Sequence, residues 1–129
     1  MKSRSIIVLI SLVAIVVIDI AAAGRGNDYQ NLQVLPKDIS SRNLQHIMVD
    51  EFQDGLGVGC NYCHANQKSS MLLDYASDEK PEKLIARQMM QMTIELNKNH
   101  FGIENPELGS NMMAVTCATC HRGSPHPEL

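Results

Sequence analysis

The sequence has very few large apolar side chains. Tryptophan is absent from its 129 residues, which include only two phenylalanines and three tyrosines. A single domain of this size is then short of material for a core, and small domains in that position usually rely on disulfides, metals or another chain. Basic runs are also lacking and the net charge is −3, so the composition does not indicate binding to nucleic acid.

A hydrophobic run long enough to span a bilayer without interruption is lacking too. The longest apolar run extends over residues 6–18, broken by one serine, whereas a spanning helix needs about 20 residues. Lys2 and Arg4 precede this run, and three alanines at residues 21–23 follow it. This order is typical of a secretory signal.

We therefore interpret residues 1–23 as a signal peptide, with an N-terminal membrane anchor as the alternative, and residues 24–129 as the functional domain. Both alternatives predict that the domain lies outside the cytoplasm, in the periplasm or an equivalent compartment. Without residues 1–23 the chain has 9 basic and 13 acidic side chains, a net charge of −4. This acidity is compatible with a soluble partner surface but identifies no partner.

The first predicted helix follows a serine cap. Ser40 or Ser41 can cap it, and Gly55 and Gly57 are expected to end it. One apolar stripe lies at helical spacing along it: Leu44, Ile47, Met48 and Phe52.

The second predicted helix begins near residues 78–81, with Asp78 as the cap and Pro81 in the first turn. Its stripe repeats at i, i+4, i+7 and i+11, and consists of Ile85, Met89, Met92 and Leu96. Gly102 is expected to end it, and residues 65–77 are predicted to be loop.

All the cysteines present form two CxxCH motifs, CNYCH at residues 60–64 and CATCH at residues 117–121. CxxCH is the attachment signal for haem c. Cysteines three residues apart lie on one side of a helical turn, so both sulfurs reach one haem edge while the adjacent histidine binds iron. The motifs predict two covalent haems, attached through Cys60, Cys63, Cys117 and Cys120 and ligated by His64 and His121.

Three other chemistries use paired cysteines. A Cys₄ zinc site, a disulfide framework and a redox dithiol can each contain CxxC. None of them requires a histidine after each pair, so haem attachment is the favoured interpretation.

The sixth ligand of each iron is left open by the spacing. Methionine, histidine or a vacant position are the usual choices. Met48 and Met89 each lie on the apolar stripe of a helix that precedes a CxxCH motif, although a methionine there can simply be core. The other candidates near the second motif are Met92, Met112, Met113 and His126.

The sequence resembles the cytochrome subunit of bacterial photosynthetic reaction centres, specifically its N-terminal half. The stretches that carry the resemblance are NLQVL (31–35), Met48 with CNYCH (60–64), ARQMMQMTIELN (86–97) and VTCATCHRG (115–123). In that family each haem unit is a helix with a methionine ligand, a turn and then CxxCH. The resemblance implies that Met48 pairs with His64 and that Met89 pairs with His121, whereas Met92 matches a methionine that is not a ligand.

The family subunit holds four haems, whereas this sequence has two motifs. The resemblance therefore implies electron transfer by two haems but not a role in photosynthesis. It predicts a mainly α-helical, small multihaem cytochrome c domain, built from helix–turn–CxxCH units around two haems.

We predict a di-haem electron carrier rather than an enzyme. Its partners would be redox proteins, which could include a membrane-bound electron-transfer complex. The alternative is a haem enzyme, such as a peroxidase or a nitrogen-oxide reductase, with one open iron position. Four side chains could then serve in acid–base steps, although none has a recognisable catalytic spacing: His46, Glu51, Glu95 and His100.

Two arginines could pair with haem propionates or simply be solvated. Arg87 lies near Met89, and Arg122 directly follows His121. Charge-assisted hydrogen bonds to a propionate would be the stronger of these interactions.

Overall fold

A computed structural model describes residues 29–127. The predicted signal peptide or anchor, residues 1–23, lies outside these residues. The elements follow in the order α1 (Ser41–His46), a π-helical segment (Ile47–Asp54), a 3₁₀ helix (Cys60–Tyr62), β1 (Ala65–Asn66), β2 (Leu73–Asp74), α2 (Pro81–Phe101) and α3 (Cys117–His121).

The first helix begins where its cap predicts. Ser40 has extended backbone, and its hydroxyl accepts a hydrogen bond from the Asn43 amide at 3.2 Å. After His46 the helix widens into the π segment, which the residue pattern did not predict. Gly57 then ends the helical path with a φ of 67°, a conformation that glycine adopts without strain.

Helix α2 is the longest element and spans 21 residues. Pro81 occupies the first turn and Gly102 ends the helix with a φ of 66°, both as predicted. The prediction that Asp78 caps this helix is wrong. The cap position is Lys80, whose side chain makes no capping hydrogen bond.

Asp78 instead joins the N-terminal segment to α2. Its carboxylate lies 2.9 Å from Arg87 Nη1 and 3.3 Å from Lys83 Nζ, and it accepts a hydrogen bond from Asn31 Nδ2 at 2.9 Å. The Arg87 hydrogen bond, with smaller contributions from Asn31 and Lys83, holds the pKa of Asp78 well below its usual range. The carboxylate therefore takes part in an ion pair and does not cap the helix.

The only β structure in the described residues is a two-stranded antiparallel hairpin, in which Ala65 pairs with Asp74 and Asn66 with Leu73. It lies within residues 65–77, which were predicted to be loop. The prediction of a mainly helical domain is confirmed, and this hairpin is its small exception.

The apolar core is small, as the scarcity of aromatic residues implied. Five residues form its buried centre: Leu35, Ile39, Ile47, Met90 and Leu108. Ile47 is 2% exposed, and burying such a side chain contributes about 1.5–3 kcal/mol. The core thus lies between the first helical path and α2.

Helix α3 is held against the end of the first helical path. The Gly123 amide donates to the Gly55 carbonyl at 2.9 Å. A side chain at Gly57 would overlap the Gly123 carbonyl, so the two backbones touch. The second CxxCH motif is therefore fixed to the helix that bears Met48. Across residues 29–127, no helix combines the length and apolarity needed to cross a membrane.

Candidate haem sites

The first CxxCH motif opens onto a cavity of about 530 Å³. Cys60, Cys63 and His64 line it from one side, and Met48 on the π segment also lines it. The structure therefore brings the four residues predicted for the first haem to one cavity. Two thiols, an imidazole and a thioether in a mainly apolar enclosure are a donor set that fits haem c.

His64 lies in this cavity in a form suited to binding a metal. Its ring packs edge-to-face on Tyr75, with ring centroids 4.9 Å apart. Burial lowers the pKa of His64, and the charge of Lys83 lowers it further, while the backbone of Tyr75 has the opposite effect. The neutral imidazole, which is the form that binds a metal, is favoured.

The second CxxCH motif lines a separate cavity of about 250 Å³. Cys117, Cys120 and His121 lie along it, together with Met89 from α2. The complete predicted stripe of α2, Ile85, Met89, Met92 and Leu96, lines this cavity. Amphipathic periodicity therefore identified one wall of the second cavity.

The choice among methionines is narrowed by this arrangement. Met89 and Met92 both line the second cavity, and Met92 is 44% exposed. Met112 and Met113 are not part of the lining within the described residues. Met89 as the ligand stays a prediction that rests on the resemblance, and His126 also lies in the lining.

A backbone carbonyl orients the second histidine. His121 Nδ1 lies 2.9 Å from the carbonyl oxygen of Ser124. A carbonyl only accepts, so Nδ1 carries the proton and Nε2 keeps its lone pair for a metal. The pattern of side chains did not identify this contact, because any residue at position 124 supplies a carbonyl.

The four thiols are all in the described chain and none is paired in a disulfide. Burial, followed by the charge and hydrogen bond of Glu51, raises the pKa of the Cys117 thiol to about 12. Burial, with a smaller contribution from Glu82, also raises the pKa of Cys63. Both thiols are held neutral, which is unlike the lowered pKa of a redox-active dithiol.

The geometry gives no support to the zinc alternative. Within residues 29–127, no three His, Cys, Asp or Glu side chains converge as a metal site requires. A structural zinc site needs four such ligands at tetrahedral positions.

Helix α2 forms a wall of both cavities. Lys83 and Arg87 line the first cavity, and Glu82 and Met89 line the second. Four residues line both cavities and are called the shared wall below: Phe52, Cys63, Ala86 and Met90. The two candidate haem sites are therefore neighbours separated by one layer of side chains.

The remaining singled-out residues lie as follows. Arg87 lines the first cavity while it bonds to Asp78 and to the Asn31 carbonyl. Arg122 and His100 are exposed. His46 is exposed, bonds to the Gly109 carbonyl at 3.0 Å and contacts the Asp50 carboxylate.

The sequence pattern did not identify Asn97, which is fully buried at the second site. Its side-chain amide donates to the Thr93 and Val115 carbonyls, and its oxygen accepts from the amides of Ala114 and Val115. These bonds hold the segment that enters CATCH against α2. An asparagine within a predicted helix could have been noticed as a candidate for a buried hydrogen-bond network. Its partner Val115 lies 18 positions away, so the pattern of the helix alone does not identify it.

Comparisons with known proteins identify the family of this chain. The family model described as photosynthetic reaction centre cytochrome C subunit matches residues 11–129. A cytochrome c-554 of Chloroflexus aurantiacus is 36% identical over 96 residues, which cover 74% of this chain and 21% of the relative. The photosynthetic reaction center cytochrome c subunit of Roseobacter denitrificans is 36% identical over 101 residues, covering 78% of this chain and 25% of the relative.

The corresponding subunit of Thermochromatium tepidum is also 36% identical over 101 residues, covering 78% of this chain and 22% of the relative. This chain thus spans about a fifth to a quarter of the length of these curated relatives. No solved structure matches it.

The motifs, the cavities and these similarities together define a c-type cytochrome. The family model covers nearly all of the chain. The protein belongs to the photosynthetic reaction centre cytochrome c subunit family, as the resemblance in its sequence implied.

Proposed function

We propose that this protein is a di-haem c-type cytochrome that transfers electrons between redox partners outside the cytoplasm. The observation that carries the proposal is the pair of cavities: the cysteines and histidine of one CxxCH motif line each of them, and each lining includes the methionine that the resemblance implies as a ligand, Met48 in the first and Met89 in the second. Membership of a cytochrome family supports the same class of function.

At the first site, Cys60 and Cys63 would hold the macrocycle through thioether bonds, and His64 and Met48 would be the axial ligands. Each bound haem supplies an iron that exchanges one electron between its ferrous and ferric states. The buried, neutral state favoured for His64 supports its role as a ligand. Leu35 and Met90 are buried in the apolar core and also line this cavity, where they would exclude water from the haem.

At the second site, Cys117 and Cys120 would attach the macrocycle, with His121 and Met89 as axial ligands. The Ser124 carbonyl holds the His121 ring in the orientation and tautomer that this role needs. Methionine ligation raises the reduction potential relative to ligation by two histidines. Both sites would therefore operate at comparatively high potential.

The shared wall supports electron exchange between the two sites, because only one layer of side chains separates the cavities. The partners would be redox proteins, among them a membrane-bound electron-transfer complex, since two of the relatives are named as subunits of a photosynthetic reaction center. Residues 1–23 would direct the chain out of the cytoplasm as a signal peptide. As an anchor, they would instead hold the exported domain at the membrane.

The haem-enzyme alternative lacks a supporting observation. His46 lines neither cavity within the described residues. Its two ring nitrogens contact the Gly109 carbonyl and the Asp50 carboxylate instead. His100 is exposed near the end of α2, away from both linings. Family membership also favours the electron carrier.

The test is a haem count and an optical spectrum of protein purified from a host that matures cytochromes c. We expect two covalent haems per chain, both low-spin, with the weak far-red band of methionine bound to ferric iron. Replacing Met48 or Met89 by histidine should each remove about half of that band and lower one potential.

Met92→Leu is the matched control for Met89, because it alters another methionine of the same cavity wall and should leave the band intact. One covalent haem or none would disprove the di-haem proposal. A high-spin component that binds cyanide would indicate an open iron position and would support the haem-enzyme alternative instead.

A further inference from the structure

Glu51 is a half-buried carboxylate that contacts the second haem-attachment motif from the first helical path. Its Oε2 accepts a hydrogen bond from the backbone amide of Cys117 at 3.1 Å, across 66 positions of sequence. The pairing crosses between the two haem units, since Glu51 follows Met48 on the π segment and Cys117 begins CATCH.

The Cys117 amide needs an acceptor from outside its own helix. Cys117 is the first residue of α3, and the first four amides of a helix have no partner within it. The neighbouring amide of Thr116 is satisfied locally by the Thr119 hydroxyl at 3.0 Å. Glu51 thus supplies the bond that fixes the start of CATCH against the π segment.

The same carboxylate places a negative charge beside the attachment cysteine. Glu51 Oε2 lies within hydrogen-bond distance of the Cys117 backbone, so the charge is close to the sulfur through which the macrocycle would be attached. A nearby negative charge stabilises the ferric state over the ferrous state, because reduction adds an electron. Its effect should be greater at the second haem than at the first, since the hydrogen bond of Glu51 is to the second motif and Coulomb interactions weaken with distance.

We propose that Glu51 is a positioning residue of the second haem, which aligns Cys117 for attachment and lowers the reduction potential of that haem relative to the first. The proposal rests on the di-haem function proposed above. It assigns to one carboxylate both a geometric and an electrostatic effect on the same site.

The experiment compares the Glu51→Gln, Glu51→Ala and Asp54→Asn variants of the full chain. Glutamine keeps an acceptor for the Cys117 amide and removes the charge, whereas alanine removes both. Asp54 is an exposed carboxylate on the same segment, so its amide variant controls for a general change in charge. Covalent haem is counted by mass spectrometry, and potentials are then measured by redox titration, with each transition assigned from the shifted methyl resonance of its methionine ligand.

For Glu51→Gln we expect two haems per chain and an equilibrium constant for reduction of the second haem that rises roughly threefold to tenfold, with a smaller change at the first. Glu51→Ala should show the same rise together with reduced occupancy at Cys117. Asp54→Asn should leave the reduction potentials of both haems unchanged.

Equal shifts of both haems, no shift in Glu51→Gln, or the same shift in Asp54→Asn would overturn the inference. Normal occupancy at Cys117 in Glu51→Ala would overturn the positioning part of it. Fewer than two haems in the unaltered protein would be a failure of the proposed function instead, and the haem count reveals it before any titration.

Discussion

The two candidate sites use the same motif but have linings of opposite charge. The first cavity is lined by Lys83 and Arg87, whose two positive charges exceed the single negative charge of their partner Asp78, and its described lining includes no carboxylate. The second has Glu82 in its lining and is about half the volume. Cations favour the ferrous state and anions the ferric state, so we expect the first haem to have the higher potential. Identical attachment chemistry therefore does not imply identical redox chemistry.

The largest expected effect comes from Asn97, whose hydrogen bonds reach the segment that leads into the second motif. It is 0% exposed, and three of its four hydrogen bonds hold residues 114–115 against α2, while the fourth is to the Thr93 carbonyl of the same helix. Asn97→Ala should lower the free energy of unfolding by about 3 kcal/mol, because the freed buried amides and carbonyls lose their partners. Urea unfolding of the holoprotein measures this loss, and mass spectrometry should show less haem at the second motif.

Asn99→Ala is the control, since Asn99 is exposed on the same helix. Equal loss of haem from both motifs in Asn97→Ala would mean that the sites do not differ in their dependence on this residue.

A smaller effect should follow from removing one charge from each lining. Lys83→Gln should lower the potential of the first haem, and Glu82→Gln should raise that of the second, each by roughly 1 kcal/mol in reduction free energy. Both substitutions should reduce the difference in reduction potential between the two haems, Lys83→Gln by lowering the higher potential and Glu82→Gln by raising the lower one. Redox titration checks this prediction, and a change of the same sign in both variants would contradict it.

The smallest expected effect concerns Asp78, which fastens the N-terminal segment over the first cavity. Asp78→Asn should lower the free energy of unfolding by about 0.5 kcal/mol at neutral pH, a value reduced for solvent screening. The folded-state pKa of Asp78 lies below its unfolded value. The contribution is therefore complete above the unfolded pKa, near 3.9, and is lost as the pH falls through the folded pKa.

Unfolding measured in parallel for the two proteins should show their difference shrinking in acid. A difference that does not depend on pH would contradict the assigned ion pair.

Much of both candidate sites could be predicted from the sequence, because the CxxCH attachment signal is local. The CxxCH spacing identifies four cysteines and two histidines without any knowledge of the fold. The periodicity of α2 identified the stripe that lines the second cavity, since amphipathic spacing depends only on the pitch of the helix.

What could not be predicted depends on contacts between distant residues. Asp78 resembles a helix cap in sequence, but it pairs with Arg87 because the folded chain brings the N-terminal segment over α2. The bond from Cys117 to Glu51 spans 66 positions, and Asn97 reaches the second motif only in the folded state. The widening of the first helix into a π segment is likewise not indicated by any residue type within it.

The shared wall has a consequence for how this protein can vary. Phe52, Cys63, Ala86 and Met90 each line both cavities, so a change of shape at any of them alters two sites at once. Effects of substitutions on either side of the wall will not add, because neighbours in contact are energetically coupled. A substitution in the shared wall that improves the packing of one site should therefore be tolerated only where the other site accommodates the same change.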